Sequence, residues 1–263
     1  MTLHPAPPLS GFDYLLKGYR LLLRPALWPY IIIPLLINLL VFGLLLWLVA
    51  GQFSGWADRL LSTLPDWLSW LGWVLWAGFW LLAAIIVFFT FTLIANLIAA
   101  PFNGLLAEAV EHMISKTRPP SGQGWAGMLR ELPLILFDEL RKLAYFLLWA
   151  IPFGLLFLVP LLNTLAPIAW ALFSSWMLAL QYLDYPLGNH GLRFAAQRRL
   201  LRKNTLSGLS FGGSVLLATL IPVVNLFVIP AAVIGATCLW VERLRPLSFP
   251  SQAAALPDIS DCT

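Results

Sequence analysis

Four long stretches of this chain contain no Asp, Glu, Lys or Arg, at residues 26–50, 67–100, 143–182 and 205–240. A helix that crosses the hydrocarbon core of a bilayer needs about 20 predominantly apolar residues, and each stretch is at least that long. Only 11% of all residues are charged and 60% are hydrophobic, whereas soluble domains carry about 25% charged residues. The sequence therefore predicts an all-α integral membrane protein.

The first two stretches are uninterrupted and predict two long transmembrane helices. The first is about 25 residues long and spans a bilayer with some tilt. The second is about 34 residues long, which as a helix measures roughly 51 Å against a hydrocarbon core of about 30 Å. We expect this second helix to cross the membrane and to project beyond it.

The third and fourth stretches are interrupted, and each predicts a helical hairpin that enters the membrane without crossing it. They read FLVPLLNTLAPIAW and TLIPVVNLFVIPAAV, so both contain Pro-x-x-Asn followed by a second Pro. A turn that reaches water normally carries Gly, Ser, Asp or Lys, and these turns are apolar. Broken backbone is tolerated at membrane depth where protein or a water-filled cavity satisfies its polar groups. Two half-penetrating hairpins are therefore favoured over two pairs of complete spans.

The distribution of Lys and Arg predicts the orientation. Three of these residues precede the first stretch, five lie in residues 108–142 and five in residues 183–204, whereas Arg59 alone lies between the first two stretches. Because positive residues collect in cytoplasmic loops, we expect the N-terminus, and the side from which both hairpins enter, to be cytoplasmic. Residues 1–245 are predicted to form one membrane domain and residues 246–263 a disordered tail.

The broken helices predict an anion site. A helix that begins inside the membrane exposes its first N–H groups and the positive end of its dipole. Pro167 and Pro230 suit the first helical position, and Asn163 and Asn225 would organise the turns by pairing with free backbone groups. The alternative is that Pro and Asn only kink packed helices.

Further candidates for a polar path lie around the first two helices. A buried amide needs a hydrogen-bond partner, so Asn side chains mark either helix pairing or a path for a polar solute. Glu108 and Glu111, one helical turn apart, could carry a proton, although solvated charges on a helix face are the favoured interpretation. The full set of candidate pore or substrate residues is Arg20, Arg24, Asn38, Asn96, Asn103, Glu108, Asn163 and Asn225.

Other classes of function find no support in the sequence. The two cysteines, Cys238 and Cys262, do not form a disulfide framework or a metal site, and the three histidines are far apart and are interpreted as structural. Neither a phosphate-binding Walker loop nor a nucleophile elbow occurs. The net charge of +4 fits cytoplasmic loops, so no nucleic-acid partner is needed. We expect no enzymatic activity and no cofactor.

Several motifs, in order and at matching separations, resemble the CysZ family of bacterial inner-membrane sulfate permeases. They are IANLIAAPFNGLLAEAVE at residues 94–111, QYLDYPLGNH at 181–190, SGFDYLLKGYRLL near the start and IPVVNLFVIPAAVIGAT near the end. The resemblance implies uptake of sulfate for cysteine biosynthesis without an ATPase domain, two transmembrane helices and two half-penetrating hairpins. It also implies antiparallel dimers that can group into hexamers, and therefore a dual orientation that the uneven Lys and Arg distribution does not predict.

One stretch departs from the family pattern. Where the family has Pro-Gly-Leu/Ile-Arg at the start of the first span, tied to sulfate binding, this chain has Pro25-Ala26-Leu27-Trp28. The matching arginine is absent, and Arg20 or Arg24 would have to replace it. Membrane lipid is a further expected partner, and the alternative functions are lipid handling in a groove between hairpins and a role in membrane assembly without ion transport.

Overall fold

The protein is all-helical throughout the residues that its computed structural model describes, which are 10–63, 65, 70–116 and 124–245. Side chains are described for these residues except 87–97 and 124–136. The predicted tail at residues 246–263 lies outside this set. The α-helices are α1 (Gly11–Leu22), α2 (Pro29–Leu61), α3 (Leu71–Ser115), α4 (Gly124–Leu155), α5 (Ala166–Asn189), α6 (Phe194–Lys203), α7 (Thr205–Thr219), α8 (Pro222–Asn225) and α9 (Val228–Leu239).

Every charge-free stretch lies largely in helix, but the helices extend well beyond these stretches. Helix α3 continues to Ser115 and α4 begins at Gly124, so the basic segment at residues 108–142, which the distribution of Lys and Arg indicated as a loop, is helical for most of its length. The segment 183–204 is also mainly helical, because α5 continues to Asn189 and α6 begins at Phe194. Glu, Lys and Arg are good helix formers, so a charge indicates contact with water and not the end of a helix.

Three helical segments in the described part of the chain are long and apolar enough to cross a membrane, at Pro29–Leu61, Phe137–Leu158 and Ala166–Asn189. Helix α7 is apolar but shorter than a span. The structure thus supports a membrane protein with several long apolar helices. How many of them cross the bilayer, and whether the hairpins penetrate only halfway, stays a prediction.

The chain divides into two compact units. One unit is Pro29–Phe102, and the other combines residues 1–28 with residues 103–263. In the first unit an aromatic cluster joins α2 to α3, where the ring of Phe53 stacks on that of Phe79 at 4.3 Å and meets that of Trp76 at 5.1 Å. The prediction of one membrane domain concerns the association of these units and stays a prediction.

The core of the second unit is helix α9, which packs against α1 and α5. Every residue from 231 to 241 is buried. This run includes the first two residues of the π-helix Trp240–Leu244, which continues α9. Small residues let the helix backbones touch, as is usual for helices that associate in membranes. A side chain at Gly18 of α1 would collide with the carbonyl oxygen of Ala231, and one at Gly212 of α7 with that of Ser175 in α5.

Helix α1 is part of this core and not a peripheral leader to the first span. It begins with Ser10, whose side chain accepts a hydrogen bond from the Asp13 N–H while Asp13 accepts one from the Ser10 N–H. Tyr14, Leu15 and Gly18 are buried on its inner face. The N-terminal segment that the Lys and Arg distribution placed in the cytoplasm is therefore folded against α9.

Candidate functional site

Two of the sequence motifs meet side by side in the structure. Asn103 of α3 donates a hydrogen bond from Nδ2 to the Tyr185 hydroxyl of α5 at 3.3 Å. Asn189, at the end of α5, donates from Nδ2 to the carbonyl oxygen of Gly104 at 2.8 Å. Residues from Asn103 onward in the first motif and residues 181–190 therefore form one interface, and Asn103 pairs helices within it.

A buried ionic cluster lies at the same interface, centred on Glu111. The Glu111 side chain is completely buried. Its Oε1 lies 2.8 Å from His190 Nε2 and accepts a hydrogen bond from Arg245 Nη1 at 2.9 Å. The ring of Trp240 packs on His190 with centroids 5.3 Å apart. Since a carboxylate is costly to bury without partners, this cluster joins α3 to the ends of α5 and α9.

The interpretation of Glu111 as a solvated charge on a helix face was therefore wrong. Spacing along α3 places Glu108 and Glu111 on one face, but it does not reveal that His190 and Arg245 cover the second of them. Glu108 is partly exposed, as a solvated charge would be. The sequence patterns also did not single out Arg245, although the DYPLGNH motif contains His190.

A second polar cluster joins α4, α5 and α6. Lys142 Nζ lies 2.5 Å from Asp184 Oδ2 and 2.6 Å from Glu139 Oε1. Asp184 Oδ1 accepts a hydrogen bond at 2.6 Å from the buried Gln197, which also donates to the carbonyl oxygen of Leu192 at 2.8 Å. These contacts hold the helix of the basic segment, α6, against the base of the α4–α5 hairpin.

A third group of paired charges lies in the same unit. Lys17 of α1 lies 2.5 Å from Glu242 at the end of α9. The charged residues of each pair or cluster lie far in sequence from the two Pro-x-x-Asn turns. The unit thus has charged groups at the bases of both hairpins and apolar residues at both turns.

Backbone hydrogen bonds organise the first turn, and its Asn side chain does not. The Asn163 N–H donates to the carbonyl oxygen of Val159 at 3.0 Å, while the Asn163 Oδ1 accepts only a 3.4 Å hydrogen bond from the adjacent Thr164. Helix α5 begins at Ala166, so Pro167 is its second residue and not its first. The Ala166 N–H is occupied by the carbonyl oxygen of Leu162 at 3.0 Å.

The second turn follows the same rule. The Asn225 N–H donates to the carbonyl oxygen of Ile221 at 2.8 Å, and its side chain makes no hydrogen bond within the described residues. Helix α9 begins at Val228, so Pro230 is its third residue. The prediction that Asn163 and Asn225 organise the turns was wrong, because a short helical arrangement of the backbone satisfies most of its own groups. Their contact with an anion stays a prediction.

The remaining candidates are Arg20, Arg24, Asn38 and Asn96. Arg20 and Arg24 are exposed, and Arg24 makes only a 3.7 Å contact with the Met113 sulfur. Asn38 lies in α2, where its Oδ1 is buried and has no hydrogen-bond partner among the described atoms. The side chain of Asn96 lies outside the described residues.

Along most of its length the chain is similar to proteins that share one name. A family model described as sulfate transporter CysZ/Etoposide-induced protein 2.4 matches residues 14–230. A protein of Pseudomonas fluorescens (strain Pf0-1) named sulfate transporter CysZ is 47% identical over 239 residues, which cover 91% of this chain and 96% of that protein.

Two further relatives carry the same name. One from Pseudomonas aeruginosa (strain LESB58) is 47% identical over 237 residues, covering 90% of this chain and 96% of its own length. One from Pseudomonas syringae pv. tomato (strain ATCC BAA-871 / DC3000) is 44% identical over 239 residues, covering 91% and 94%. The resemblance indicated by the motifs is thereby confirmed.

Proposed function

Because this chain belongs to the sulfate transporter CysZ/Etoposide-induced protein 2.4 family, we propose that it carries sulfate into the cell across a bacterial inner membrane, for use in cysteine biosynthesis. The observation that carries the proposal is the near full-length identity of 47% to relatives named sulfate transporter CysZ. The long apolar helices support a membrane location.

The polar groups available to sulfate are mostly neutral, and this suits conduction of a dianion. A conducting pore must compensate the charge of the ion and still release it, so amide donors are preferable to a ring of arginines. We propose that Asn163 and Asn225 contact the ion directly, since neither side chain makes a hydrogen bond to the backbone of its turn among the described residues. Asn103 donates one of its two Nδ2 hydrogens to Tyr185, so the second is the one that it could offer to the ion, and Glu108 stays a candidate proton carrier beside the path.

The hairpins are proposed to enter the membrane from the cytoplasmic side and to stop within it. Helix α7 has 15 residues, roughly 22 Å, which is shorter than the hydrocarbon core of about 30 Å. The turns expose apolar side chains, such as Leu161 at 92% and Leu226 at 76%. The charged bases fit a cytoplasmic interface, and exposed apolar turns fit lipid or protein.

A single subunit presents its two turns from one side of the membrane, so a complete path would need a second copy. An antiparallel dimer would bring matching turns from the opposite leaflet, and such dimers could group into hexamers. The exposed apolar residues of both turns support this assembly because they offer a surface for association. Arg20, Arg24, Asn38 and Asn96 stay candidates for further contacts with the ion.

Sulfate flux into liposomes that contain only this protein tests the function. We expect uptake of radiolabelled sulfate that sulfite and thiosulfate reduce more strongly than chloride. An inside-negative potential should oppose entry, since each charge costs about 2.3 kcal/mol per 100 mV. Chloride flux equal to sulfate flux would argue against a selective path. Transfer of labelled lipid between leaflets without sulfate flux would support the lipid-handling alternative.

A further inference from the structure

An open groove between α4 and α6 has two arginine side chains at its rim and an apolar floor. It has a volume of about 410 Å³. We propose that this groove binds an anionic phospholipid, with the phosphate at the two guanidinium groups and the upper part of an acyl chain along the floor. Its lining residues are Arg141, Ala144, Tyr145, Leu148, Phe194, Ala195 and Arg198.

Both arginines have their guanidinium groups over aromatic rings. The Arg198 guanidinium lies 5.1 Å from the ring centroid of Tyr145 and 5.9 Å from that of Phe194. Stacking on an aromatic face holds the guanidinium plane and leaves its edge free for bidentate contact with a phosphate. In the part of the chain that the structure describes, no carboxylate lies within salt-bridge distance of Arg198.

The charge of the rim is only partly compensated. The Arg141 guanidinium lies 4.5 Å from the Phe137 ring and 3.7 Å from Asp138 Oδ1. The same Asp138 also pairs with Arg193 at 3.3 Å. Asp138 is therefore shared between Arg141 and Arg193, while Arg198 has no carboxylate partner among the described residues. An anionic ligand would compensate the remaining positive charge.

The floor of the groove indicates why the ligand would be a lipid. Leu148 is 68% exposed, and exposed apolar residues continue along α4 to Leu147 and Ile151. This part of α4 belongs to the long apolar segment Phe137–Leu158. The arginines thus lie where a charged surface meets an apolar one, which is the level of lipid headgroups. A free inorganic anion would leave the apolar floor uncovered.

Helix α6 has the composition of a helix that lies at a membrane surface. Its inner face buries Phe194, Gln197 and Leu201. Its outer face exposes Arg199, Arg202 and Lys203. Amphipathic helices with a basic outer face are attracted to anionic leaflets, so the groove would stand in a layer enriched in its ligand. This inference does not depend on sulfate transport.

Native mass spectrometry of the purified protein in detergent, titrated with dioleoyl phosphatidylglycerol, tests the groove. We expect Arg198→Gln to weaken phosphatidylglycerol binding by about tenfold or more, because hydrogen bonds to charged groups are strong. The matched control is Arg199→Gln, which removes the same charge from the neighbouring position of α6 outside the groove. It should change binding by less than about twofold. Equal losses in both variants would reduce the effect to general electrostatics and overturn the proposal.

A second variant tests the floor while keeping both arginines. Ala144 is exposed and lines the groove, so Ala144→Trp would fill it without a buried clash. We expect phosphatidylglycerol binding to be lost although the protein stays folded and monodisperse. Unchanged binding in Ala144→Trp would show that the acyl chain lies elsewhere and would overturn the proposal.

Competition separates a lipid from a free anion. Inorganic sulfate at millimolar concentration should not displace phosphatidylglycerol, and phosphatidylcholine should bind more weakly than phosphatidylglycerol. If sulfate displaces the lipid in the parent protein, and radiolabelled sulfate binding is lost in Arg198→Gln, the groove is a free-anion site instead. That outcome would leave the transport proposal intact, because sulfate flux is measured separately in liposomes.

Discussion

The two hairpins have nearly the same turn sequence but very different surroundings. In the α7–α9 hairpin, α9 is buried from Ala231 to Leu239, and Tyr19 of α1 donates a hydrogen bond to the Val224 carbonyl oxygen at 2.9 Å, although the turn residues 220–227 are exposed apart from the half-buried Val224. In the α4–α5 hairpin, the turn residues 157–165 are all exposed, and Leu161 has a positive φ of 74°. The α9 leg of one hairpin is the core of its unit, while the other hairpin projects from the unit along the exposed leg Phe137–Leu158 as well as at its turn.

This difference shows that a repeated motif need not mean a repeated role. In both turns the Asn N–H is bonded to the carbonyl oxygen four residues earlier, although the first turn contains the positive φ of Leu161 and the second contains the short helix α8. What surrounds each turn is decided by other elements, chiefly α1. The projecting turn is the one with the larger surface left for lipid or another subunit.

The largest effect is expected where the buried hairpin meets α1. Gly18→Leu would drive a side chain into the backbone at Ala231, and a backbone carbonyl cannot move aside as a side chain can. Because the backbone of α1 or α9 would have to shift to relieve this clash, we expect little folded protein by size-exclusion chromatography.

The matched change in the projecting hairpin is Gly154→Leu. No atom lies within 4 Å of a side chain built at Gly154 among the described residues. This variant should purify and melt like the parent. Comparable loss of folded protein in both variants would contradict the distinction between a core hairpin and a projecting one.

The next largest effect concerns the ionic cluster that joins the bases of both hairpins. Glu111→Gln leaves Arg245 and His190 without their carboxylate, and removing one partner of a buried ion pair typically costs about 3–5 kcal/mol. Chemical unfolding in detergent would measure the change, and hydrogen exchange should increase at the ends of both α5 and α9. Glu108→Gln, one turn away and partly exposed, should change stability by less than about 0.5 kcal/mol.

An unaltered unfolding midpoint in Glu111→Gln would mean that the cluster does not stabilise the fold. Increased exchange at only one of the two hairpins would limit its role to that hairpin. Either result is informative because the Glu108 variant carries the same chemical change. The contrast between the two hairpins would then depend only on the contacts of α1 with the α7–α9 hairpin.

A smaller effect is expected at the turns themselves. Asn163→Leu and Asn225→Leu remove side chains that make no backbone hydrogen bond, so folding should be preserved. If the amides contact sulfate, flux in liposomes should fall by about tenfold, which corresponds to roughly 1.4 kcal/mol. Sulfate flux like that of the parent in both variants would remove these residues from the proposed path, and loss in only one would assign the path to one hairpin.

The smallest effect concerns the tether between α1 and the second turn. Tyr19→Phe removes the hydrogen bond to the Val224 carbonyl oxygen and should cost about 1 kcal/mol. The counterpart in the first turn, Thr164→Val, removes only an exposed hydroxyl and should be neutral. Thermal unfolding together with hydrogen exchange at residues 222–227 would detect the difference, and equal stability of the two variants would indicate that the tether contributes nothing.

The sequence by itself determined the class of protein, the helices and the two breaks. Apolar length and the restriction that Pro places on a helix are local properties, so they are readable without tertiary contacts. The motifs around Asn103 and Asp184 were sufficient to identify the family. The ends of the helices were not predictable in this way, since charged residues continue a helix as readily as apolar ones.

Only the tertiary structure decided which polar residues are buried together. Glu111 and Arg245 are 134 positions apart in the chain, and no periodicity indicates that they meet. The same is true of α9, whose burial depends on Gly18 in α1 and Gly235 in α9, which allow the two backbones to approach closely. Apolar segments are defined by their own composition, whereas an ion pair or a helix contact depends on which distant surfaces the fold brings together.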